Sequence, residues 1–165
     1  MPPRVPFTQT FLSGKELEYV TRVIEQGSLA SDGPFSQQSA EWLKQYCGAA
    51  GVLMTSSCTA ALEMAAMLCE LGPGDEVIMP SFTFVSTASA VTRTGAQPVF
   101  VDIDPRTLNI DPACIADQVN SRTRAIIPVH YAGVGCAMEA IGELAREHGL
   151  VVIEDAAQGV GAAYG

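Results

Sequence analysis

Lysine and histidine are scarce in this chain, and so is charge of any kind. Its 165 residues hold two lysines, Lys15 and Lys44, and two histidines, His130 and His148. Charged residues make up 16% of the chain and the formal net charge is -9. Nucleic acid and anionic membrane both favour a positive field, so neither fits as a partner. None of the five cysteines (Cys47, Cys58, Cys69, Cys114, Cys136) forms a C-x-x-C pair, and the histidines are far apart. That pattern excludes a structural zinc site and predicts reduced thiols that fill core. No window reaches the roughly 18 apolar residues of a membrane span. The opening Met1-Pro2-Pro3-Arg4-Val5-Pro6 lacks a signal peptide's layout, so a cytoplasmic location is expected. G-x-x-x-x-G-K-[ST] is missing as well, which counts against a P-loop nucleotide site.

What the chain has is apolar material, 48% of its residues, ample for a buried core. Residues 1–50 read as a helical lead-in. Ser13-Gly14-Lys15-Glu16 fits a capping box, with Leu17, Val20 and Ile24 at helical spacing behind it. Pro34 suits a second helix start, with Phe35, Trp42, Leu43 and Tyr46 on its apolar side.

From residue 51 onward apolar runs alternate with helical patterns. Strands are predicted over 52–55, 76–79, 98–102, 125–129 and 150–154. Helices are predicted over 59–71, 84–94, 112–120 and 137–148, with Asp111-Pro112 as a start and Gly72, Gly95 and Gly149 as C-terminal caps. The pattern implies an α/β fold, a mostly parallel sheet with helices on both faces. The helix over 59–71 is apolar nearly all round, which predicts a central position.

Ligands of such sheets bind beyond the carboxyl ends of the strands. That rule selects Ser56–Thr59, Pro80–Phe84, His130–Gly133 and Asp155–Gln158. Hydroxyls and amides at a helix start can hold a phosphate, or Ser57 can simply cap the helix. Phe82 and Phe84 can stack on a flat heterocycle or fill core. Glu154 and Asp155 face opposite ways on a strand, so one of them points at a ligand. A carboxylate beside a pyridine nitrogen makes that ring an electron sink; equally, Asp155 can cap whatever follows. Gly133-Val134-Gly135 and Gly159-Val160-Gly161 lack the third glycine of a dinucleotide fingerprint, with Met138 and Tyr164 in its place. This counts against a dehydrogenase domain.

Read in order, several of these stretches resemble the DegT/DnrJ/StrS family of sugar-nucleotide aminotransferases. They are Ser57-Cys58-Thr59-Ala60-Ala61-Leu62, Gly72-Pro73-Gly74-Asp75-Glu76-Val77-Ile78 and Pro80-Ser81-Phe82-Thr83-Phe84-Val85-Ser86-Thr87. Phe100-Val101-Asp102-Ile103-Asp104-Pro105 and Ile153-Glu154-Asp155-Ala156-Ala157-Gln158 follow. The resemblance runs from Val5-Pro6-Phe7 to about Gly161. It implies the aspartate-aminotransferase fold (fold type I of the pyridoxal-phosphate-dependent transferases), with residues 51–165 as an incomplete large domain. It also implies pyridoxal 5'-phosphate as cofactor. Cys58 and Thr59 match the positions that hold its phosphate, Phe84 the aromatic stacked on its ring, Asp155 the carboxylate on the ring nitrogen, and Gln158 the side chain near the phenolic oxygen. His130 and Tyr131 are candidate substrate contacts.

Ser56-Ser57-Cys58-Thr59-Ala60 and Pro128-Val129-His130-Tyr131-Ala132-Gly133 look most like the branch that aminates dTDP-4-oxo-6-deoxy-D-glucose in enterobacterial common antigen synthesis. That branch implies L-glutamate as donor, dTDP-4-amino-4,6-dideoxy-D-galactose as product, and a homodimer. The family's Schiff-base lysine belongs downstream of Asp155, beyond Gly165, and neither Lys15 nor Lys44 lies in that segment. The chain alone is therefore expected to be inactive. The alternative is a short non-catalytic protein that binds cofactor, sugar nucleotide or a partner.

Overall fold

The computed structural model describes residues 9–27 and 29–162. Val5-Pro6-Phe7, Tyr164 and Gly165, which entered the reading above, lie outside them. Two compact units divide the chain, Met1–Met54 and Thr55–Gly165.

Unit 1 contains helices α1 (Glu16–Gln26) and α2 (Pro34–Cys47). Glu16 reaches back as a capping box requires, accepting from the Ser13 amide at 2.6 Å. The cap position itself belongs to Lys15, and the Ser13 hydroxyl accepts from the Lys15 amide at 3.3 Å, so the box is shifted from its expected frame. Gly27 and Gly48 end the two helices in the left-handed conformation. Tyr19 meets Phe35 edge-on at 5.2 Å between centroids, and Trp42 stacks on Tyr46 at 4.9 Å. Lys15 and Lys44 are exposed.

Unit 2 is built on a four-stranded sheet: β1 (Glu76–Pro80), β2 (Gln97–Val101), β3 (Thr123–Ile126) and β4 (Val151–Val152). Their order is β2-β1-β3-β4 and every pair is parallel. The connections carry α4 (Val85–Thr92), α5 (Pro112–Ala116) and α6 (Met138–His148), and α3 (Cys58–Leu68) precedes the sheet. Alternation along the strands builds two cores. Val77, Met79, Ala125 and Ile127 pack with Leu62 and Ala66 of α3 and with Ala90 and Val91 of α4. Ile78, Val101 and Ile126 pack on the opposite face with Ile115 of α5 and with Ile141 and Ala145 of α6. Helices thus cover both faces, as the apolar strands predicted.

Several expected elements differ in the structure. Residues 52–55 form no strand. Their apolar pattern fits one, but β-propensity needs a neighbouring strand to act on. Met67 and Leu68 are 63% and 71% exposed, so α3 buries one side and is not central. Its end is turned by Glu70, at φ 54°, and not by Gly72. Helix α5 stops at Ala116, short of residue 120. Asp111 does cap it, accepting from the Ala113 amide at 2.9 Å.

Candidate active site

The chain runs outward from β1 to β2 on one side and restarts at β3 on the other. A parallel sheet opens a crevice where its strand order reverses, at the carboxyl ends of the strands. In this sheet that point lies beyond β1 and β3. A cleft of about 210 Å³ sits there, lined by Thr83 and Phe84 after β1, Val129–Tyr131 after β3, and Asp155, Ala157 and Gln158 after β4. Three of the four stretches selected from sequence therefore line one cleft.

Asp155 is delivered by a backbone ladder. Its amide donates to Pro128 O at 2.9 Å and its carbonyl accepts from the His130 amide at 3.1 Å. Its carboxylate is buried, 6% exposed. Oδ2 accepts from the Thr87 hydroxyl at 2.8 Å. Among the described residues, Oδ1 has only the Ala157 amide at 3.3 Å and the Cys58 thiol at 3.7 Å. The Cys58 contact brings the fourth stretch, at the start of α3, to the same carboxylate. Burial raises the Cys58 thiol above its ordinary range, and the Asp155 charge and hydrogen bond raise it further.

The start of α3 is an open helix end. Ser57 caps it, accepting from the Ala60 amide at 3.1 Å, and the first intrahelical bond runs from the Ala61 amide to Ser57 O. The amides of Cys58 and Thr59 precede that bond and point out of the helix. The Thr59 hydroxyl is engaged with Ser86 of α4 at 2.7 Å.

Glu154 faces away from Asp155, as strand alternation requires. It meets His130 Nε2 at 2.8 Å, while His130 Nδ1 accepts from the Cys136 amide at 3.1 Å. Nδ1 is thus the acceptor nitrogen, and Nε2 carries the proton. This buried histidine holds the loop together while it lines the cleft. Burial and the Glu154 charge push the nearby Cys136 thiol up to about 11.

Gln158 is exposed at the mouth, and its Oε1 accepts from the Ala132 amide at 2.7 Å. With the carbonyl end used, the amide nitrogen is the group left to donate. Ala132 adopts φ 53°, a left-handed conformation that costs a non-glycine residue about 1–2 kcal/mol. Asn109, 3% exposed, holds that turn in place. It accepts from the Tyr131 amide at 3.0 Å and donates to Val134 O and Gly135 O at 2.9 and 3.0 Å. Phe84 is 73% exposed at the cleft, and Phe82 packs on Tyr131 with centroids 4.7 Å apart. Sequence reasoning missed Thr87 and Asn109. The pairing of Asn109 with a loop 22 residues away leaves no local pattern to read.

The model of the DegT/DnrJ/EryC1/StrS aminotransferase family matches residues 11–165. The chain belongs to this family. GDP-perosamine synthase of Caulobacter vibrioides is 43% identical over 162 residues, which is 98% of this chain and 44% of that protein. The spore coat polysaccharide biosynthesis protein SpsC of Bacillus subtilis is 44% identical over 97% of this chain and 41% of its own length. Against these curated relatives the chain spans less than half their length. Among solved structures, an aminotransferase from Psychrobacter cryohalolentis superposes with TM-score 0.90 at 35% identity, over 96% of this chain and 41% of that one. NtdA from Bacillus subtilis, solved with bound cofactor PMP, gives 0.84 at 40% identity, over 88% and 33%. The fold of this family member is accordingly part of the pyridoxal-phosphate-dependent transferase fold.

Proposed function

We propose that the chain carries the cofactor-binding region of a pyridoxal-phosphate-dependent sugar-nucleotide aminotransferase, with residues 51–165 as that region and 1–50 as its helical lead-in. One observation carries this reading. Asp155 is a buried carboxylate at the switch-point cleft, with one oxygen tied to Thr87 and the other lacking a strong donor. A protonated ring nitrogen is the partner that such an oxygen lacks.

The neighbouring groups suit the rest of the cofactor. The Cys58 and Thr59 amides would hold its phosphate at the start of α3, where the helix dipole favours negative charge. Phe84 would stack on the ring, and the Gln158 amide nitrogen would donate to the phenolic oxygen. When bound, pyridoxal phosphate supplies the electron sink that amino transfer needs. Asp155 Oδ1 would keep the ring-nitrogen proton in place, with Oδ2 held by the Thr87 hydroxyl. His130 and Tyr131 stand at the cleft as candidate substrate contacts. A 4-keto-6-deoxy sugar nucleotide, dTDP-4-oxo-6-deoxy-D-glucose, is the proposed acceptor and L-glutamate the donor, with a homodimer as the working state.

Titration of the cofactor-free chain with pyridoxal 5'-phosphate, followed by absorbance, tests the site. Asp155→Asn should weaken binding by about tenfold or more, the scale of one charge-assisted hydrogen bond. Equal binding by both forms would remove the basis of the proposal. In a longer protein that supplies the Schiff-base lysine, release of 2-oxoglutarate from L-glutamate, with dTDP-linked and GDP-linked keto sugars compared, tests the substrate. A GDP-linked preference would move that assignment toward the chemistry of the perosamine synthase relative.

A further inference from the structure

We propose that Thr87 is a positioning residue for Asp155, and that Thr83 completes a one-way hydroxyl relay behind it. The inference rests on the proposed function only in naming what Asp155 faces. Thr87 is fully buried and its hydroxyl lies 2.8 Å from Asp155 Oδ2. Thr83, four residues earlier at the lip of the cleft, lies 2.8 Å from the Thr87 hydroxyl.

Proton counting fixes the direction. An ionised carboxylate only accepts, so Thr87 must donate its single hydroxyl proton to Asp155. Thr87 can then only accept from Thr83, which donates. Each hydroxyl in the line polarises the next and strengthens the bond to the carboxylate. Oδ2 is held toward the protein, and Oδ1 is the oxygen left for a ligand.

The bland account of a helical threonine fails here. Threonine in a helix commonly returns its proton to a carbonyl one turn back. Thr21 does so with Leu17 O at 2.8 Å, and Thr92 bonds Ser89 O at 3.1 Å. Thr87 sends its proton across the fold to a residue 68 positions away.

Three variants separate the hydroxyl from the packing. Thr87→Val keeps the shape and removes the donor; Thr87→Ser keeps the donor and removes a methyl; Thr83→Ala removes the outer link. Two readouts apply to each. One is the side-chain carboxyl carbon resonance of Asp155 in the cofactor-free chain, identified by its loss in Asp155→Asn. The other is the dissociation constant for pyridoxal 5'-phosphate. Thr87→Val should move the resonance and weaken binding about tenfold, while Thr87→Ser should leave the resonance near its original place and binding within about threefold. Thr83→Ala should move both in the same sense by less.

An unmoved resonance in Thr87→Val overturns the relay. So does a Thr87→Ser form that behaves like Thr87→Val, because then the methyl group matters and not the proton. If circular dichroism shows Thr87→Val unfolded, Thr83→Ala decides: unchanged resonance and binding sink the proposal. A resonance that moves as expected, in a chain whose wild type binds no pyridoxal phosphate, leaves the relay standing and defeats the functional reading alone.

Discussion

Cys58 is exposed, yet its thiol is held protonated by partial burial and by the Asp155 carboxylate beside it. Removing that negative neighbour takes away two of the three causes that raise its pKa. More thiolate should then be present near pH 8, and thiolate is the reactive form. Asp155→Asn should therefore speed alkylation of Cys58 by iodoacetamide, resolved by peptide mass mapping. Unchanged Cys47, also exposed, is the internal control. A Cys58 rate equal in both forms would place Asp155 too far away to matter. The place of Asp155, Phe84 and Gln158 at the cleft was legible in the sequence because each lies a few residues past a strand, and strand ends converge in parallel sheets. Thr87 was not, since nothing local tells a threonine that caps a distant carboxylate from one that fills a helix.

The same contrast holds for whole elements. Glu76, at the start of β1, is buried and bonded to two residues that lead into β3. Asn120 donates to it at 2.7 Å, and Arg122 pairs with it. The Asn120 bond, and then Arg122, hold its carboxyl below the ordinary 4.5. A lowered folded value stabilises fully above the unfolded value and is lost as pH falls through the folded one. Unfolding free energy should thus drop as pH falls below about 4.5, measured by urea titration at several pH values. Glu76→Gln should flatten that decline and lower stability at neutral pH; an identical acid profile would show that the clamp contributes nothing. Strands β1 and β2 were readable from apolar runs between glycine turns, to within a residue or two. The run at 52–55 reads the same way and yet forms no strand, because pairing is decided by what lies alongside. Asp111 caps α5 as read, since a cap is local, whereas where α5 ends is set by packing.

For the molecule as a whole, the sheet sets solution behaviour. Among the described residues, β2 and β4 each pair on one side only. Phe100 on β2 is 53% exposed and Val151 on β4 is 43% exposed. Within unit 1, Leu17, Ile24 and Trp42 are 82%, 62% and 58% exposed. Open strand edges and apolar side chains of this kind promote association. Sedimentation velocity should show oligomers whose share grows with concentration, and Phe100→Lys should reduce it. A clean monomer across that range would contradict the reading.

The two cores meet through β1, where Val77 and Met79 face one side and Ile78 the other. Side chains on a strand alternate strictly, so losing one residue there exchanges every later side chain between faces. In genetic terms, β1 can absorb a changed codon but not a missing one. Lineages that carry this sequence should therefore vary in spelling along 77–79, and keep their insertions and deletions for exposed turns such as the one at Arg106 and Thr107.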